Sequence, residues 1–156
     1  MSARGRSYRY VGPAELKAAV RPDSGGCRIS SAAEFGDWIA GRSAAELTEP
    51  FTFVVGADGA LRLAPRRSEH VACAGGAMVL SAGEIGFVRE ADRWSVSEVS
   101  NQSTGYCPDI GSWSEVARAL DNVGLERPSG FTHENYFVCV FCGSDLPETW
   151  NVDPNA

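Results

Sequence analysis

The sequence predicts an α+β domain with a mainly antiparallel sheet of five to seven strands and two principal helices, at about residues 31–41 and 112–123. Two observations predict the sheet: the β-type segments follow one another closely along the chain, and tight turns separate them. A third predicts the helices: two segments carry apolar residues at helical spacing between a serine and a glycine. We expect residues 8–156 to form one globular domain.

The beginning of the chain carries weaker signals than the rest. Residues 1–7 are expected to be a loosely ordered tail, since chain termini of small polar residues rarely pack. Residues 8–11 (YRYV) alternate as a short strand does. Pro13 opens a short predicted helix over residues 14–20, and the turn residues of PDSGG end it.

The first principal helix has a marked start and a marked end. Ser31 is the predicted N-cap, and Glu34 stands three residues later, as a capping box requires. Gly41 supplies the C-terminal stop. The apolar stripe between them consists of Phe35, Trp38 and Ile39.

The β-type region begins at residue 51. Residues 51–55 and 60–64 are predicted strands of a hairpin, because Asp58-Gly59 between them is a strong tight-turn dipeptide. Residues 70–80 (HVACAGGAMVL) are interpreted as two short strands about Gly75-Gly76. Residues 84–90 and 94–99 predict a further hairpin, which turns at residues 91–93.

The second principal helix is predicted with Ser112 as its cap and Glu115 completing a capping box. Gly124, with Pro128 beyond it, ends the helix. Its polar face is expected to carry Glu115, Arg118, Asp121 and Asn122. Residues 136–142 (YFVCVFC) then predict a buried strand.

Cys139 and Cys142 fall in this last segment, and Gly143 follows them. This spacing presents two thiolates from one turn and resembles one half of a zinc ribbon, although no second Cys-x-x-Cys is present. His133 and Cys107 are the first candidates for the missing zinc ligands; Cys73, His70 or a second copy of the chain are others. A redox pair and two buried thiols are the alternatives.

The polar run at residues 100–109 (SNQSTGYCPD) is the second candidate site. It follows a predicted strand, and loops at strand ends often display binding groups. The alternative is that these side chains satisfy their own backbone, as Asn, Ser and Thr commonly do. The predicted ligand-binding residues are Asn101, Gln102, Ser103, Thr104 and Tyr106.

A catalytic reading of the same loop needs a histidine close to it. Cys107 would be the nucleophile, and His70 or His133 would be its base. Glu69 precedes His70, but neighbours on an extended segment point to opposite sides and do not form a dyad alone.

Composition limits the classes of partner. The formal charge of −6 and the pI near 4.9 make nucleic acid an unfavourable partner and favour a protein with a basic surface. No apolar segment approaches a membrane span, no signal peptide precedes the domain, and the chain is therefore expected to be cytoplasmic, with cysteines as thiols or ligands. Many alanines and glycines with one lysine are typical of a GC-rich bacterial genome.

These observations lead to two functional expectations. The first is a small acidic interaction module, similar to inhibitors or immunity proteins of toxic enzymes, with a zinc knuckle at Cys139 and Cys142 as an added feature. The second is a small enzyme or ligand-binding protein whose site combines the 100–107 loop with a histidine.

Overall fold

A computed structural model describes residues 6–21 and 25–138. Its strands are β1 (Cys27–Ile29), β2 (Phe51–Gly56), β3 (Leu61–Ala64), β4 (Val79–Glu90) and β5 (Arg93–Ser100). Its helices are α1 (Ala14–Ala18), α2 (Ala32–Ala40), α3 (Ala44–Leu47), α4 (His70–Cys73), α5 (Trp113–Val123) and α6 (His133–Tyr136). The predicted α+β class is confirmed, and α2 and α5 are its two principal helices.

The five strands form one sheet in the order β1-β3-β2-β4-β5, and every neighbouring pair is antiparallel. Both predicted hairpins are present. At the first turn, Gly59 adopts a φ of 82°, and the Asp58 side chain accepts a hydrogen bond from the Ala60 N–H. At the second, Ala91 and Asp92 both have positive φ, as a two-residue hairpin turn with right-handed strand twist requires.

One face of the sheet packs against α2 and α5 and holds the main core. Alternate residues of β2 and β3 point into this core, as the period of two requires. At its centre the Trp38 ring of α2 lies 4.9 Å from the Phe51 ring, edge to face. Phe35 lies 5.1 Å from Phe87 of β4, so aromatic contacts join α2 to the middle strands.

A second, smaller cluster of buried residues covers part of the opposite face of the sheet. Tyr8, Val71, Cys73 and Tyr106 pack there on small side chains of β2, β3 and β4. Tyr8 forms an isolated bridge with Val79, so the predicted strand at residues 8–11 is reduced to one bridging residue. Of the predicted tail at residues 1–7, residues 1–5 lie outside the described residues.

The start of α2 follows the prediction closely. The Ser31 hydroxyl accepts a hydrogen bond from the Glu34 N–H at 3.1 Å, so Ser31 is the N-cap. The Glu34 carboxylate accepts from the Ser30 hydroxyl at 2.9 Å, and its contact with Ser31 is to the hydroxyl, at 3.4 Å. The helix therefore has the predicted cap, while the second bond of a capping box goes to a neighbouring side chain.

Ser112 directly precedes α5, as predicted, but its side chain makes no capping hydrogen bond. Asp109 takes that role one turn earlier, because its carboxylate accepts from the Gly111 N–H at 2.8 Å and starts the 3-10 turn Ile110–Ser112. Ser112 has helical backbone angles and is buried. Glu115 is only 2% exposed and is bonded to Arg118, so it does not lie on a solvent-facing polar surface.

The two short strands expected at residues 70–80 are also wrong. Residues 70–73 form α4, and β4 begins only at Val79. Gly75 and Gly76 have positive φ, and the Gly76 N–H donates to the Val71 carbonyl at 2.8 Å. The glycine pair therefore ends a helix rather than joining two strands.

The start of the predicted strand at residues 136–142 is wrong. Tyr136 is the last residue of α6, and residues 137 and 138 have no regular secondary structure. Residues 139–142 lie outside the described part of the chain. The helix starts at a capping box of Thr132 and Asn135 and ends at Phe137, whose backbone is extended.

Candidate functional site

Asn101 organises the polar loop from the inside. Its Nδ2 donates to the Pro108 carbonyl at 2.8 Å, and its Oδ1 accepts from the Val138 N–H at 2.6 Å. Its backbone N–H donates to the Tyr136 carbonyl at 3.1 Å. Because Asn101 is 1% exposed, its amide is committed to holding the two ends of the loop and the end of α6 together.

Of three other predicted ligand-binding residues, Ser103 and Tyr106 are buried and Thr104 is exposed. Ser103 is buried, and its hydroxyl accepts from the Tyr106 N–H at 3.2 Å. The Tyr106 hydroxyl donates to the Ala77 carbonyl at 2.7 Å, under the second face of the sheet. Thr104 is exposed, and its carbonyl accepts from the Cys107 thiol. These contacts match the alternative in which the loop satisfies its own backbone.

Cys107 lies in this loop with a φ of 47°, which is in the left-handed region. Its thiol donates to the Thr104 carbonyl at 3.3 Å. Burial raises its pKa to about 11, so the thiol is protonated at neutral pH. A protonated thiol is a weak nucleophile, and these surroundings do not activate it.

His70 begins α4, and its ring is bonded to the sheet. Its Nε2 donates to the Gly83 carbonyl of β4 at 2.8 Å. Burial lowers the pKa of His70, whereas the Gly83 carbonyl and the carboxylates of Glu84 and Glu69 act in the opposite direction. Glu69 is therefore close enough to affect the ring electrostatically. The His70 ring and the Cys107 thiol donate to different backbone carbonyls, those of Gly83 and Thr104.

The predicted zinc ligands are placed only in part. His133 is exposed at the start of α6, and Cys107 lies in the loop described above. Cys139 and Cys142 lie outside the described residues. Within residues 6–21 and 25–138, no three His, Cys, Asp or Glu side chains are grouped so that they could hold a metal ion.

The zinc knuckle stays a prediction with a direct test. Purified full-length protein is expected to contain one zinc ion per chain, and Cys139→Ser is expected to lose it, because a thiolate ligand is removed. Elemental analysis after metal-replete expression measures the content. Cys27→Ser removes an exposed thiol outside the proposed ligand set and is the matched control. A metal-free wild-type protein would contradict the prediction.

A cleft of about 520 Å³ lies at the outer edge of the sheet, beside β5. We call it the edge cleft. Residues 97–100 and Gln102 line one side, residues 128–131 and Asn135 line the other, and Glu84 reaches it from β4. Among the residues predicted to bind a ligand, Gln102 is the one that lines this cleft.

Residues 126–136, which we call the edge arm, form the outer wall of this cleft. The Val96 N–H donates to the Glu126 carbonyl at 2.8 Å, and the Asn101 N–H donates to the Tyr136 carbonyl. The arm is thus bonded to the edge of β5 at two points, and residues 97–100 lie between them. This arrangement opens the cleft where the sheet edge would otherwise be continuous.

Tyr136 anchors the arm to the core. Its hydroxyl lies 2.6 Å from the hydroxyls of Ser81 and Ser112, which are themselves 3.0 Å apart. Its ring lies 5.1 Å from the Trp113 ring of α5. This fully buried contact ties the arm to both β4 and α5 and makes the wall of the cleft part of the folded core.

The charge of the edge cleft comes from Glu84 and Glu98. In the described part of the chain, neither carboxylate has an arginine or lysine nitrogen within 4.0 Å. Neighbouring acidic side chains differ, since Glu126 pairs with Arg93 and Asp121 pairs with Arg127. The cleft therefore presents negative charge that the described residues do not pair with a cation.

The sequence carried a faint signal for this cleft. Gly86 stands inside a predicted strand, and an interior glycine often marks a close approach of other atoms. Glu84 and Glu98 lie on predicted strands on either side of one hairpin. Nothing local indicated that residues 128–135 would return to the edge of the same sheet.

Comparisons with protein-family models, curated proteins and solved structures found no match. None of the helices in the described part of the chain has the length and apolar character of a bilayer-spanning helix. The geometry of the chain itself is therefore the basis of the functional assignment.

Proposed function

We propose that this protein is a small interaction module that binds a protein partner with a basic surface, in the manner of inhibitors and immunity proteins. The observation that carries the proposal is the edge cleft, where Glu84 and Glu98 face one opening without a cationic partner in the described residues. The formal charge of −6 adds a general attraction for such a partner. Complementary charge of this kind accelerates association and selects partners.

The contacts of the loop also favour this proposal over nucleophilic catalysis. A cysteine nucleophile requires a lowered pKa or a base within hydrogen-bond reach. Burial instead raises the pKa of Cys107, and its thiol donates to a backbone carbonyl. The His70 ring is already bonded to Gly83. These groups stabilise the fold, whereas the edge cleft keeps polar groups at the surface.

Selection from a random peptide library displayed on phage tests the proposal. Immobilised full-length protein is expected to enrich peptides that contain arginine or lysine, because no arginine or lysine of the described residues pairs with Glu84 or Glu98. Binding of the enriched peptides is expected to weaken as salt rises, since charge pairs at a surface are screened. Fluorescence anisotropy of the labelled peptides measures both effects.

The control for this selection is a pair of double variants with equal net charge. The Glu84→Gln, Glu98→Gln double variant is expected to lose binding. The Glu15→Gln, Asp37→Asn double variant removes the same number of charges from α1 and α2 and is expected to retain it. Enrichment of peptides without basic residues, or equal binding to both variants, would contradict the proposed function.

A further inference from the structure

Gly86 creates the space that shapes the negative side of the edge cleft. A Cβ at this position would lie 2.8 Å from the Ser97 hydroxyl oxygen and 3.1 Å from Glu98 Cγ. It would also lie 3.4 Å from a carboxylate oxygen of Glu98. The missing side chain of Gly86 therefore lets the Glu98 side chain, which stays exposed, lie close to the backbone of β4.

Glu84 lies on the same face of the sheet. In the register of the hairpin, Gly86 is opposite Glu98 and Glu84 is opposite Ser100, so the two glutamates occupy diagonal positions. Such positions are about 7–8 Å apart across an antiparallel pair. Two carboxylates at this spacing flank a space between them that one planar group with several donors can bridge.

The remaining lining fits the same chemistry. Phe131 lines the cleft from the side of the main core, where its ring lies 5.3 Å from the Trp113 ring. The exposed Gln102 adds an amide oxygen that accepts hydrogen bonds. A guanidinium presents five donors in one plane and can reach two carboxylates at once, whereas an ammonium is a compact charge with three donors.

We infer that the edge cleft is a receptor for an arginine side chain of the partner protein, with its guanidinium between Glu84 and Glu98. This inference rests on the proposed function and adds the chemical group that is recognised. The volume of about 520 Å³ also accommodates the backbone on either side of that arginine. The bound arginine supplies the charge that the cleft lacks.

Titration of the 15N-labelled full chain with the acetylated, amidated peptide Thr-Val-Arg-Val-Thr tests the inference. The amide shifts are expected to map to residues 97–102 and 128–135. A second peptide with citrulline in place of arginine has nearly the same shape without the charge. It is expected to bind at least tenfold more weakly, and a lysine peptide is expected to bind more weakly than the arginine peptide.

Three variants test the geometry. Glu98→Gln is expected to weaken binding of the arginine peptide at least tenfold. Gly86→Ala changes no charge but moves the Glu98 carboxylate, so it is also expected to weaken binding while the rest of the amide spectrum stays unchanged. Glu90→Gln is the matched control, because Glu90 lies on the same strand at the far end of the hairpin and is exposed.

The outcomes separate the inference from the proposed function. Equal affinity for the citrulline and arginine peptides, or no shifts in the cleft, would overturn the inference. Methylguanidinium binding as tightly as the peptide would show a site for a free small cation and would also overturn it. If basic library peptides lose binding to the Glu84→Gln, Glu98→Gln variant while the citrulline and arginine peptides bind equally, the proposed function stands and the arginine site falls.

Discussion

Replacement of Gly83 by alanine is expected to lower the free energy of unfolding by about 3 kcal/mol or more. The added Cβ would overlap the carbonyl oxygen of Ser100 and lie 2.7 Å from its carbonyl carbon. It would also lie 3.0 Å from the Cα of Asn101. These are backbone atoms at the end of β5, so no side chain can move aside and the strand itself has to shift.

Equilibrium unfolding in urea measures this effect, and α2 provides a control with the opposite sign. Gly36 is exposed in that helix, and an added Cβ would meet nothing within 4 Å. Gly36→Ala is expected to stabilise the protein by about 0.5–1 kcal/mol, because alanine has the higher helix propensity. An unchanged urea midpoint for Gly83→Ala would show that β5 does not approach β4 as closely as described.

Tyr136→Ala is expected to lower the free energy of unfolding by about 3–5 kcal/mol, as loss of a large buried aromatic side chain does. The ring contact with Trp113 and both hydroxyl contacts of the anchor disappear together. Because this residue holds the edge arm, the variant is also expected to lose binding at the edge cleft. Thermal unfolding and the peptide titration measure the two consequences.

Tyr136→Phe separates the ring from the hydroxyl. It keeps the packing on Trp113, and Ser81 and Ser112 still have each other at 3.0 Å. The expected cost is about 1 kcal/mol, the usual value for one hydrogen bond, and peptide binding is expected to persist. If the phenylalanine variant were as unstable as the alanine variant, the hydroxyl contacts rather than the ring would anchor the arm.

Local signals were sufficient for most of the fold. Asp58-Gly59 specifies its hairpin because glycine takes the positive φ that the turn needs. Ser31 marks the start of α2 because its hydroxyl satisfies a backbone N–H that the helix leaves unpaired. Each of these features depends on residues within a few positions of each other, so the sequence alone determines them.

Signals that depend on distant contacts were not sufficient. Glu115 was expected at the surface, because the helix pattern cannot show that Arg118 and the core would enclose it. The glycine pair at residues 75–76 fits a strand turn and a helix end equally well, and packing of Val71 and Cys73 under the sheet decides between them. In both places tertiary structure overrides the local pattern.

The candidate site shows the same division. The polar run at residues 100–107 was identified as a loop, but its chemistry depends on partners far along the chain. The Asn101 side-chain oxygen accepts a hydrogen bond from the N–H of Val138, 37 positions later. This amide is therefore buried and holds two distant segments together. The edge cleft could not be predicted, because it exists only where residues 128–135 return to β5.

The bonded ends of the edge arm also affect how copies of the protein meet at high concentration. An uninterrupted edge strand is a template on which further chains add, and such growth leads to fibrils. In the described structure, the arm is bonded to Val96 of β5 and to Asn101 directly after it, and β1 at the opposite border is only three residues long. Within the described residues, neither border therefore offers a long uninterrupted ladder on which a further chain could add edge to edge.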